Sequence, residues 1–427
     1  MSAFDLGPNP NAAGFDEAVA LDRDDPVDGF RDRYVFGDPD LIYLDGNSLG
    51  RLPERGLEIV EKVVAEQWGD RLIRSWNEGW WELQLVLGDR LASFIGASAG
   101  EVILSDSTSV NLYKLAMAAL RRHPERSKVV TDDLNFPSDV YVLRGVAEAC
   151  GAELVIVPSD GTTGPVEGLD RSVDEDTALV SLSHTVFKSG YTYDLAAITE
   201  MAHRSGAMVL WDLSHSVGTF PIALNEAGVD LAVGCTYKYL NGGPGSPAFL
   251  YVKSYLQEDL VNPISGWWAH AEPFSFEMEF RPVKGIRRFH TGTMPIISLA
   301  AIEAGLDDVA EAGIDRLRAR SISLGEFLIA QWEQHLAGLG FDLASPRQPE
   351  HRGSHVSFSH PDAWAIARAM IEMGKVLPDF RAPDNLRLGL APLYTSHLDV
   401  HTAVNRIRSI VEAGLQEGFG DTRLTVT

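Results

Sequence analysis

The chain has 427 residues, of which 45% are apolar and 22% are charged, as in ordinary globular proteins. Its 60 acidic side chains outnumber its 36 basic ones and give a net charge of −24. This excess argues against partners that bind through clustered positive charge, namely nucleic acids and anionic membrane surfaces. At this length we expect two domains, or a large domain with a smaller one.

Cysteine content and the N-terminal sequence bear on location. The two cysteines, Cys150 and Cys235, are too few for a disulfide framework, which favours a reducing, cytoplasmic location. The first residues show no basic region followed by an apolar one, so no secretory signal is predicted. No run of about 18 apolar residues occurs, so no membrane-spanning helix is predicted either.

Short apolar runs alternate with helical patterns through the first two thirds of the chain. Residues 41–67 are predicted to form a strand, a turn and a helix. Amphipathic helices such as Ser138–Cys150 and Leu195–Ser205 lie between later strands. This alternation predicts an α/β fold with a doubly wound, mostly parallel sheet, which binds ligands outside the carboxyl ends of its strands. The predicted strands are Val102–Leu104, Lys128–Thr131, Leu154–Val157, Ala178–Leu182, Met208–Trp211, Leu231–Cys235 and Ala248–Val252.

The pattern changes after residue 293. A long helical pattern from Ile297 to about Leu339, interrupted at Gly305 and Gly313, predicts a helix that connects two domains. We therefore expect a large domain over residues 68–310 and a smaller α+β domain over 311–427, with the segment 1–67 packed beside the small domain. In the small domain the predicted strands are His355–Ser359 and Leu386–Leu390, and the predicted helices are Ala363–Met373 and Val400–Leu415.

An acid and a lysine follow two neighbouring predicted strands. Asp212 ends the run that begins at Met208, and Lys238 enters a glycine-rich loop after the strand that ends at Cys235. Pyridoxal phosphate needs such a pair, because a lysine amine forms a Schiff base with its aldehyde and a carboxylate keeps its pyridine nitrogen protonated. Either residue alone would more simply be a turn cap or a solvated loop lysine. Together at strand ends they favour a cofactor site.

A phosphate site is predicted at Ser105–Asn111, between a strand and a helix that begins near Leu112. Amides at a helix N-terminus and hydroxyl side chains both bind phosphate well. A lone serine or threonine there would be an ordinary helix cap. The position at the carboxyl end of a strand of the same sheet favours phosphate binding.

Six motifs in chain order resemble those of the kynureninases, which are fold-type-I enzymes related to class V aminotransferases. The resemblance implies pyridoxal phosphate as cofactor, an amino acid substrate and a homodimer whose active site is shared between subunits. It also implies hydrolysis of the Cβ–Cγ bond of kynurenine, and possibly of 3-hydroxykynurenine, to alanine and an anthranilate, in tryptophan catabolism. The motifs are Tyr43–Gly50 (YLDGNSLG), Phe136–Asp139 (FPSD), Trp211–Gly218 (WDLSHSVG), Tyr237–Asn241 (YKYLN), Gly266–His270 (GWWAH) and Pro392–Tyr394 (PLY).

The resemblance also implies roles for single residues. Lys238 would carry the cofactor, Asp212 would bind its pyridine nitrogen, and Tyr237 would donate a proton to Cβ. Arg387 would grip the substrate α-carboxylate, since a guanidinium offers a carboxylate two parallel donors. The further cofactor contacts implied are Thr108, Ser109, Phe136, Asp139, Ser183, His215, Trp267 and Thr293. The further substrate contacts implied are Asn47, Ser48, Trp267 and Thr293, of which Trp267 and Thr293 come partly from the neighbouring subunit.

Two positions depart from the family pattern. Residue 293 is threonine, where some members carry asparagine beside the substrate ring. The family histidine that touches this ring has no counterpart in Trp68–Leu87, which instead holds several tryptophans. One of them could stack on the ring, although tryptophans at helical spacing more often pack in a core. The sequence leaves the preference between kynurenine and 3-hydroxykynurenine open.

Alternatives within the same fold are a cysteine desulfurase and an aminotransferase; outside catalysis, the alternative is a regulatory protein. A desulfurase needs a mobile nucleophilic cysteine beyond the lysine. Cys235 instead precedes Lys238 on a predicted strand, and Cys150 ends a predicted helix. No metal site is predicted, because His351 and His355 lie among prolines and glycines and are expected to be solvated loop histidines.

Overall fold

A computed structural model describes residue 10 and residues 12–420. The outermost parts of the predicted segments, residues 1–9, 11 and 421–427, lie outside the described residues. The α-helices are α1 (Phe15–Arg23), α2 (Glu54–Lys62), α3 (Leu83–Ala92), α4 (Thr108–Arg122), α5 (Pro137–Cys150), α6 (Val166–Ser172), α7 (Leu195–Arg204), α8 (Ile296–Ala312), α9 (Ile314–His335), α10 (Ala363–Glu372) and α11 (His397–Glu412). The strands are β1 (Ile42–Tyr43), β2 (Val102–Leu104), β3 (Lys128–Asp132), β4 (Glu153–Val157), β5 (Thr177–Ser183), β6 (Met208–Asp212), β7 (Leu231–Gly234), β8 (Phe249–Val252), β9 (Asp342–Leu343), β10 (His355–Ser359), β11 (Val376–Leu377), β12 (Asp379–Arg381) and β13 (Asn385–Gly389).

A seven-stranded sheet, in the order β2-β8-β7-β6-β5-β3-β4, forms the centre of the large domain. Every pairing is parallel except those of β8, which runs antiparallel to β7 and β2. Side chains of β6 alternate between two cores: Met208 and Leu210 face the core with α4 and α5, whereas Val209 and Trp211 face the opposite one. Burial on both faces explains the continuous apolar runs of these strands. The predicted α/β fold with a doubly wound, mostly parallel sheet is confirmed.

The small domain is built on a four-stranded antiparallel sheet in the order β12-β13-β10-β9. Its separate core joins side chains of α9, α10 and α11 to those of β10 and β13. The N-terminal segment contacts both domains. Its strand β1 pairs in parallel with β11, as Ile42 opposite Val376, whereas its helix α2 ion-pairs with α8 through Arg55 and Asp307 at 2.7 Å.

The predicted connecting helix is two helices. Gly313, with φ of 81°, separates α8 from α9, whereas Gly305 lies inside α8 without interrupting it. The first helix belongs to the large-domain core and the second to both cores. The predicted boundary near residue 310 stays a prediction. Within the described part of the chain, no helix is both long and apolar enough to cross a membrane.

Candidate active site

A cavity of about 550 Å³ lies at the carboxyl edge of the large sheet, where that edge meets the small domain. Ends of β6 and β7, the N-termini of α4 and α5, and strands β12 and β13 all contribute to its wall. This is the place where doubly wound sheets bind ligands. Its lining includes twelve of the side chains predicted from the sequence: Asn47, Ser48, Thr108, Ser109, Phe136, Asp139, Asp212, His215, Tyr237, Lys238, Thr293 and Arg387.

Lys238 follows β7 and projects its amine toward a buried histidine. Its Nζ lies 2.8 Å from Nε2 of His215. Burial, followed by the charge of Lys238, holds the pKa of His215 well below its usual value, so this ring is neutral. The lysine therefore donates to Nε2, which places the histidine proton on Nδ1. That buried Nδ1 has no hydrogen-bond partner within residues 10 and 12–420.

Two acids, Asp212 and Asp139, lie together in the lining of the cavity. The Oδ1 atom of Asp212, at the end of β6, accepts hydrogen bonds from the amide of Ser214 at 2.9 Å and from its hydroxyl at 2.6 Å. Asp139 lies in the first turn of α5 and is buried against Asp212. Burial, followed by the charge of Asp212, raises the pKa of Asp139 well above its usual value. Asp139 is therefore protonated and donates to Asp212, and the pair carries a single negative charge.

The N-terminus of α4, where a phosphate site is predicted, lines the cavity. Ser107 caps it by accepting from the amide of Val110, and the hydroxyls of Ser109 and Ser138 lie 2.9 Å apart. Asp106 also lines the cavity, where its charge would repel an anion. Lys114, fully buried, donates to Oδ2 of Asp106 at 2.8 Å. This ion pair neutralises the acid and leaves the helix amides free to attract phosphate.

Tyr237 and Phe136 flank the lysine. The neighbouring thiol of Cys235 and burial raise the pKa of Tyr237 above its usual value, so the phenol keeps its proton and acts as a donor. Burial also raises the pKa of Cys235 itself, so this thiol is a poor nucleophile. The ring of Phe136 is partly exposed in the cavity and meets Phe187 edge-on, with centroids 5.2 Å apart.

Arg387, on β13, forms the far wall, and its side chain is 1% exposed. It donates to the hydroxyl of Ser48 at 2.9 Å, to the carbonyl of Phe187 and to Asp379. With the amide of Asn47 oriented to satisfy both groups, Oδ1 of Asn47 accepts from Nε of Arg387 at 2.8 Å. Gly389 makes room for the Asn47 side chain, because a Cβ there would lie 1.9 Å from the other end of this amide, its Nδ2 in the orientation that serves Arg387.

Comparison with known proteins identifies the family. The family model for the kynureninase C-terminal domain matches residues 317–407. Over 403 residues the chain is 44% identical to a kynureninase of Pseudomonas fluorescens, covering 93% of this chain and 95% of that one. The chain belongs to the kynureninase family. A kynureninase of Burkholderia pseudomallei is 42% identical over 406 residues, with the same coverage of both chains.

Solved structures of more distant proteins share the fold. A cysteine desulfurase of Thermococcus onnurineus NA1 has a TM-score of 0.75 at 17% identity, covering 92% of this chain and 98% of that one. A C-DES mutant with glycine covalently linked to its PLP cofactor has a TM-score of 0.75 at 18% identity, over 86% and 97% of the two chains. At these identities the likeness concerns the fold alone, so it lends no support to a desulfurase in place of a kynureninase.

The side chains around the cavity fit pyridoxal phosphate. The single charge of the Asp139–Asp212 pair matches a protonated pyridine nitrogen, and the α4 N-terminus matches a phosphate. Lys238 lines the same cavity, as a Schiff base with the aldehyde requires. The unpartnered Nδ1–H of His215 is a buried donor available to a polar group of the cofactor. Residues of the kynureninase motifs supply each of these features except the α4 N-terminus.

Two cofactor contacts implied by the kynureninase resemblance lie away from the cavity in this chain. Ser183, at the end of β5, is buried and donates to Oδ1 of Asn135 at 2.7 Å. Trp267 is 43% exposed and packs on Trp268, with ring centroids 4.9 Å apart. Both remain predictions.

The tryptophans between residues 68 and 87 also lie outside the cavity lining. Trp81 stacks on Trp268 at 4.2 Å, and Trp76 packs on the same ring at 5.3 Å, whereas Trp68 is exposed. Core packing, rather than stacking on a substrate within this chain, therefore describes Trp76 and Trp81.

The expectation that His351 and His355 are both solvated loop histidines is wrong for His355. It begins β10 and is fully buried, with its ring 5.6 Å from that of His215. The strand His355–Ser359 was predicted with these bounds, but the glycines and prolines before it led to the interpretation of the histidine itself as a solvated loop residue. His351 is exposed, as expected, and stacks on Tyr191.

Four functional candidates escaped the sequence analysis: Asp106, Phe187, Asp379 and Arg381. Three of them line the cavity, and Asp379 ion-pairs with Arg387 behind its wall. The alternation Asp-Phe-Arg over 379–381 is a signal for a strand with two charged side chains on one face. It gains meaning only once that strand is known to pair with β13.

Proposed function

We propose that Lys238, Tyr237, Asp212 and Arg387 carry the kynureninase reaction in this protein. As a member of its family it is a pyridoxal phosphate enzyme that hydrolyses a carbon–carbon bond of kynurenine. The observation that supports the residue assignment is the convergence of these side chains on one cavity at the sheet edge. In the overall reaction kynurenine and water give alanine and anthranilate. The hydroxyl of the water ends on the carboxyl group of the aromatic acid, and a proton is added at Cβ of the alanine.

Binding begins with charge. Arg387 binds the α-carboxylate and thereby fixes which bonds at Cα face the cofactor. When bound, pyridoxal phosphate supplies an electron sink for the negative charge that develops at Cα. Asp212, held by its two hydrogen bonds from Ser214, binds the pyridine nitrogen and maintains that sink. Asp139 contributes a proton to the pair and keeps a second negative charge out of the site.

Proton movement falls to Lys238 and Tyr237. Lys238 would hold the cofactor and, once its amine is free, would serve as the base for the α-proton. The neutral ring of His215 accepts a hydrogen bond from this amine without adding a charge. Tyr237 donates a proton at Cβ after the aromatic acid leaves. Because its pKa is raised, the phenol of Tyr237 is a weak acid and needs a neighbouring group to replace the proton that it gives up. The adjacent Lys238 ammonium supplies that proton.

The proposed assembly is a homodimer that shares its active sites. An aromatic and apolar segment is exposed beside Trp267, including Phe274 at 67%, Phe276 at 82% and Met278. Contiguous apolar side chains of this size mark an interaction surface. If a second copy of the chain covers this segment, Trp267 of one subunit can reach the cavity of the other. A cytoplasmic location is proposed from Cys150 and Cys235, which are both free thiols.

The test is a cleavage assay on the purified holoenzyme with kynurenine and 3-hydroxykynurenine given separately. Product formation is followed by the fluorescence of the anthranilate, and alanine is quantified in parallel. We expect cleavage of at least one substrate, and a rise in KM of about 100-fold or more in Arg387→Gln, which removes a buried charge-assisted contact. An exposed arginine that ion-pairs only at the surface, Arg347, provides the matched control Arg347→Gln. Bound cofactor without cleavage of either substrate contradicts the proposal.

A further inference from the structure

Two arginines and two carboxylates meet at the small-domain wall of the cavity. Asp379 and Arg381 lie on β12, and Arg387 lies on β13 directly opposite Asp379 in the antiparallel pair. Asp45, from the N-terminal segment, bridges to β13 at Gly389. The residue assignment above uses Arg387 alone, so the other three charges need an explanation.

Asp379 occupies the position on Arg387 that an incoming carboxylate needs. A guanidinium binds a carboxylate through two neighbouring nitrogens, and both such pairs on an arginine include Nη2. Nη2 of Arg387 is ion-paired with Asp379, whose side chain is 5% exposed, and also donates to Ser48. It donates to Oδ1 of Asn47 as well, at 3.2 Å, and Nη1 donates to the carbonyl of Phe187. Among these partners Asp379 is the one that carries a charge, so it is the one that competes with a carboxylate for the guanidinium. An unpaired arginine buried to this degree would be costly. Asp379 therefore stabilises Arg387 and at the same time covers its binding edge.

Arg381 offers Asp379 a second partner. Its Nε donates to Oδ2 of Asp379 at 2.9 Å. Unlike Arg387, its side chain is 36% exposed, and it lines the cavity. Exposure gives this guanidinium the freedom to follow a moving carboxylate. Asp379 can thus leave Nη2 of Arg387 and remain paired, which avoids burying a free negative charge.

We propose that Asp379 is an internal carboxylate that competes with the α-carboxylate of the substrate for Arg387, and that Arg381 retains Asp379 when the substrate binds. The inference rests on the proposed function only in that Arg387 binds the α-carboxylate. Asp379 and Arg381 are positioning residues in this account. The competition makes binding selective, because a ligand without a carboxylate cannot replace Asp379 on Arg387.

The test measures binding of alanine to the holoenzyme by isothermal titration, with alaninamide as the matched ligand that lacks the carboxylate. In Asp379→Asn the competitor is neutral, so we expect the alanine Kd to fall about three- to tenfold. In Arg381→Gln, Asp379 is confined to Arg387, so the Kd rises by a similar factor, and Arg381→Lys restores most of the affinity. In the double variant Asp379→Asn/Arg381→Gln, the Arg381 change no longer raises the Kd. The Kd of alaninamide stays within about twofold of the wild-type value in all these variants. The KM for kynurenine changes in the same direction as the Kd of alanine, and kcat changes less.

Weaker alanine binding in Asp379→Asn overturns the proposal, since Asp379 would then only orient Arg387. Equal changes for alanine and alaninamide overturn it as well, because they indicate a structural role. If the Asp379 variant does not fold, Arg381→Gln tests the same competition with Asp379 in place, and an alanine Kd that does not rise in it overturns the proposal. Failure of kynurenine cleavage together with the predicted alanine affinities would overturn the proposed function and leave this inference standing.

Discussion

The two walls of the cavity hold their charges in different ways. On the large-domain wall, Asp139 and Asp212 are like charges in contact, and burial forces one of them to keep a proton. On the small-domain wall, Asp379 and Arg387 are opposite charges on facing strand positions. A shared proton gives a fixed negative charge for a permanent cofactor. An ion pair that can be exchanged gives a site that the substrate α-carboxylate can enter and leave. The fixed charge thus suits a cofactor that stays bound, and the exchangeable pair suits a substrate that is released.

Both walls act against the net field of the protein. A charge of −24 repels phosphate, α-carboxylate and anthranilate alike at long range. Physiological salt screens this repulsion beyond about 8 Å. Binding therefore depends on short, desolvated contacts to Lys238, Arg387 and the α4 N-terminus. The difference between the walls lies within this positive pocket and not in the surface charge.

The largest effect is expected from removing the group between the walls. Lys238→Ala loses both the covalent link and the base, so turnover should fall by roughly 1000-fold or more, measured by anthranilate fluorescence. Reduction of the holoenzyme with borohydride followed by peptide mapping should place the cofactor on Lys238. A label on the buried Lys114, or on another lysine, would contradict the assignment.

The proton on the large-domain wall is tested by a pair of isosteric changes. Asp212→Asn removes the one negative charge, and we expect kcat to fall by about 100-fold or more. Asp139→Asn replaces a protonated acid with an amide that still donates to Asp212, so kcat should change by only about threefold. Both are measured on enzyme saturated with cofactor. Equal losses in the two variants would show that the proton is not held on Asp139.

The large-domain wall was the more predictable one from sequence. Asp212 and Lys238 follow apolar strands, and parallel strands of a doubly wound sheet end at one edge, so chain order alone brings them together. The phosphate site predicted at the α4 N-terminus follows from the same rule. Asp139 was found through the kynureninase-like FPSD motif, but its protonated state depends on burial against Asp212, which a sequence does not display.

The small-domain wall depends on register, which the sequence conveys poorly. Asp379 faces Arg387 only because β12 and β13 pair in one particular alignment across a short turn. A shift of one residue would turn Asp379 to the other face. The strand His355–Ser359 was predicted, but the burial of His355 was not, because it depends on a contact with the ring of His215 from the large domain.

The smallest expected effect concerns Asp45, the small-domain counterpart of Asp139. Burial, followed by the charge of Asp379, raises the pKa of Asp45 from 3.8 to about 7. The folded state therefore binds this proton between pH 4 and 7 where the unfolded state does not. The resulting stabilisation is complete below about pH 4 and is lost as the pH rises through 7.

Asp45→Asn removes this dependence, so the difference in unfolding free energy between wild type and variant should change by at most about 1 kcal/mol per pH unit in that window. Urea unfolding at pH 5, 6, 7 and 8 measures it, with the exposed Asp16→Asn as the control that should show no such slope. A flat difference for Asp45→Asn would mean that the small-domain wall holds its charges by ion pairing alone, which would make the contrast with the proton-sharing wall complete.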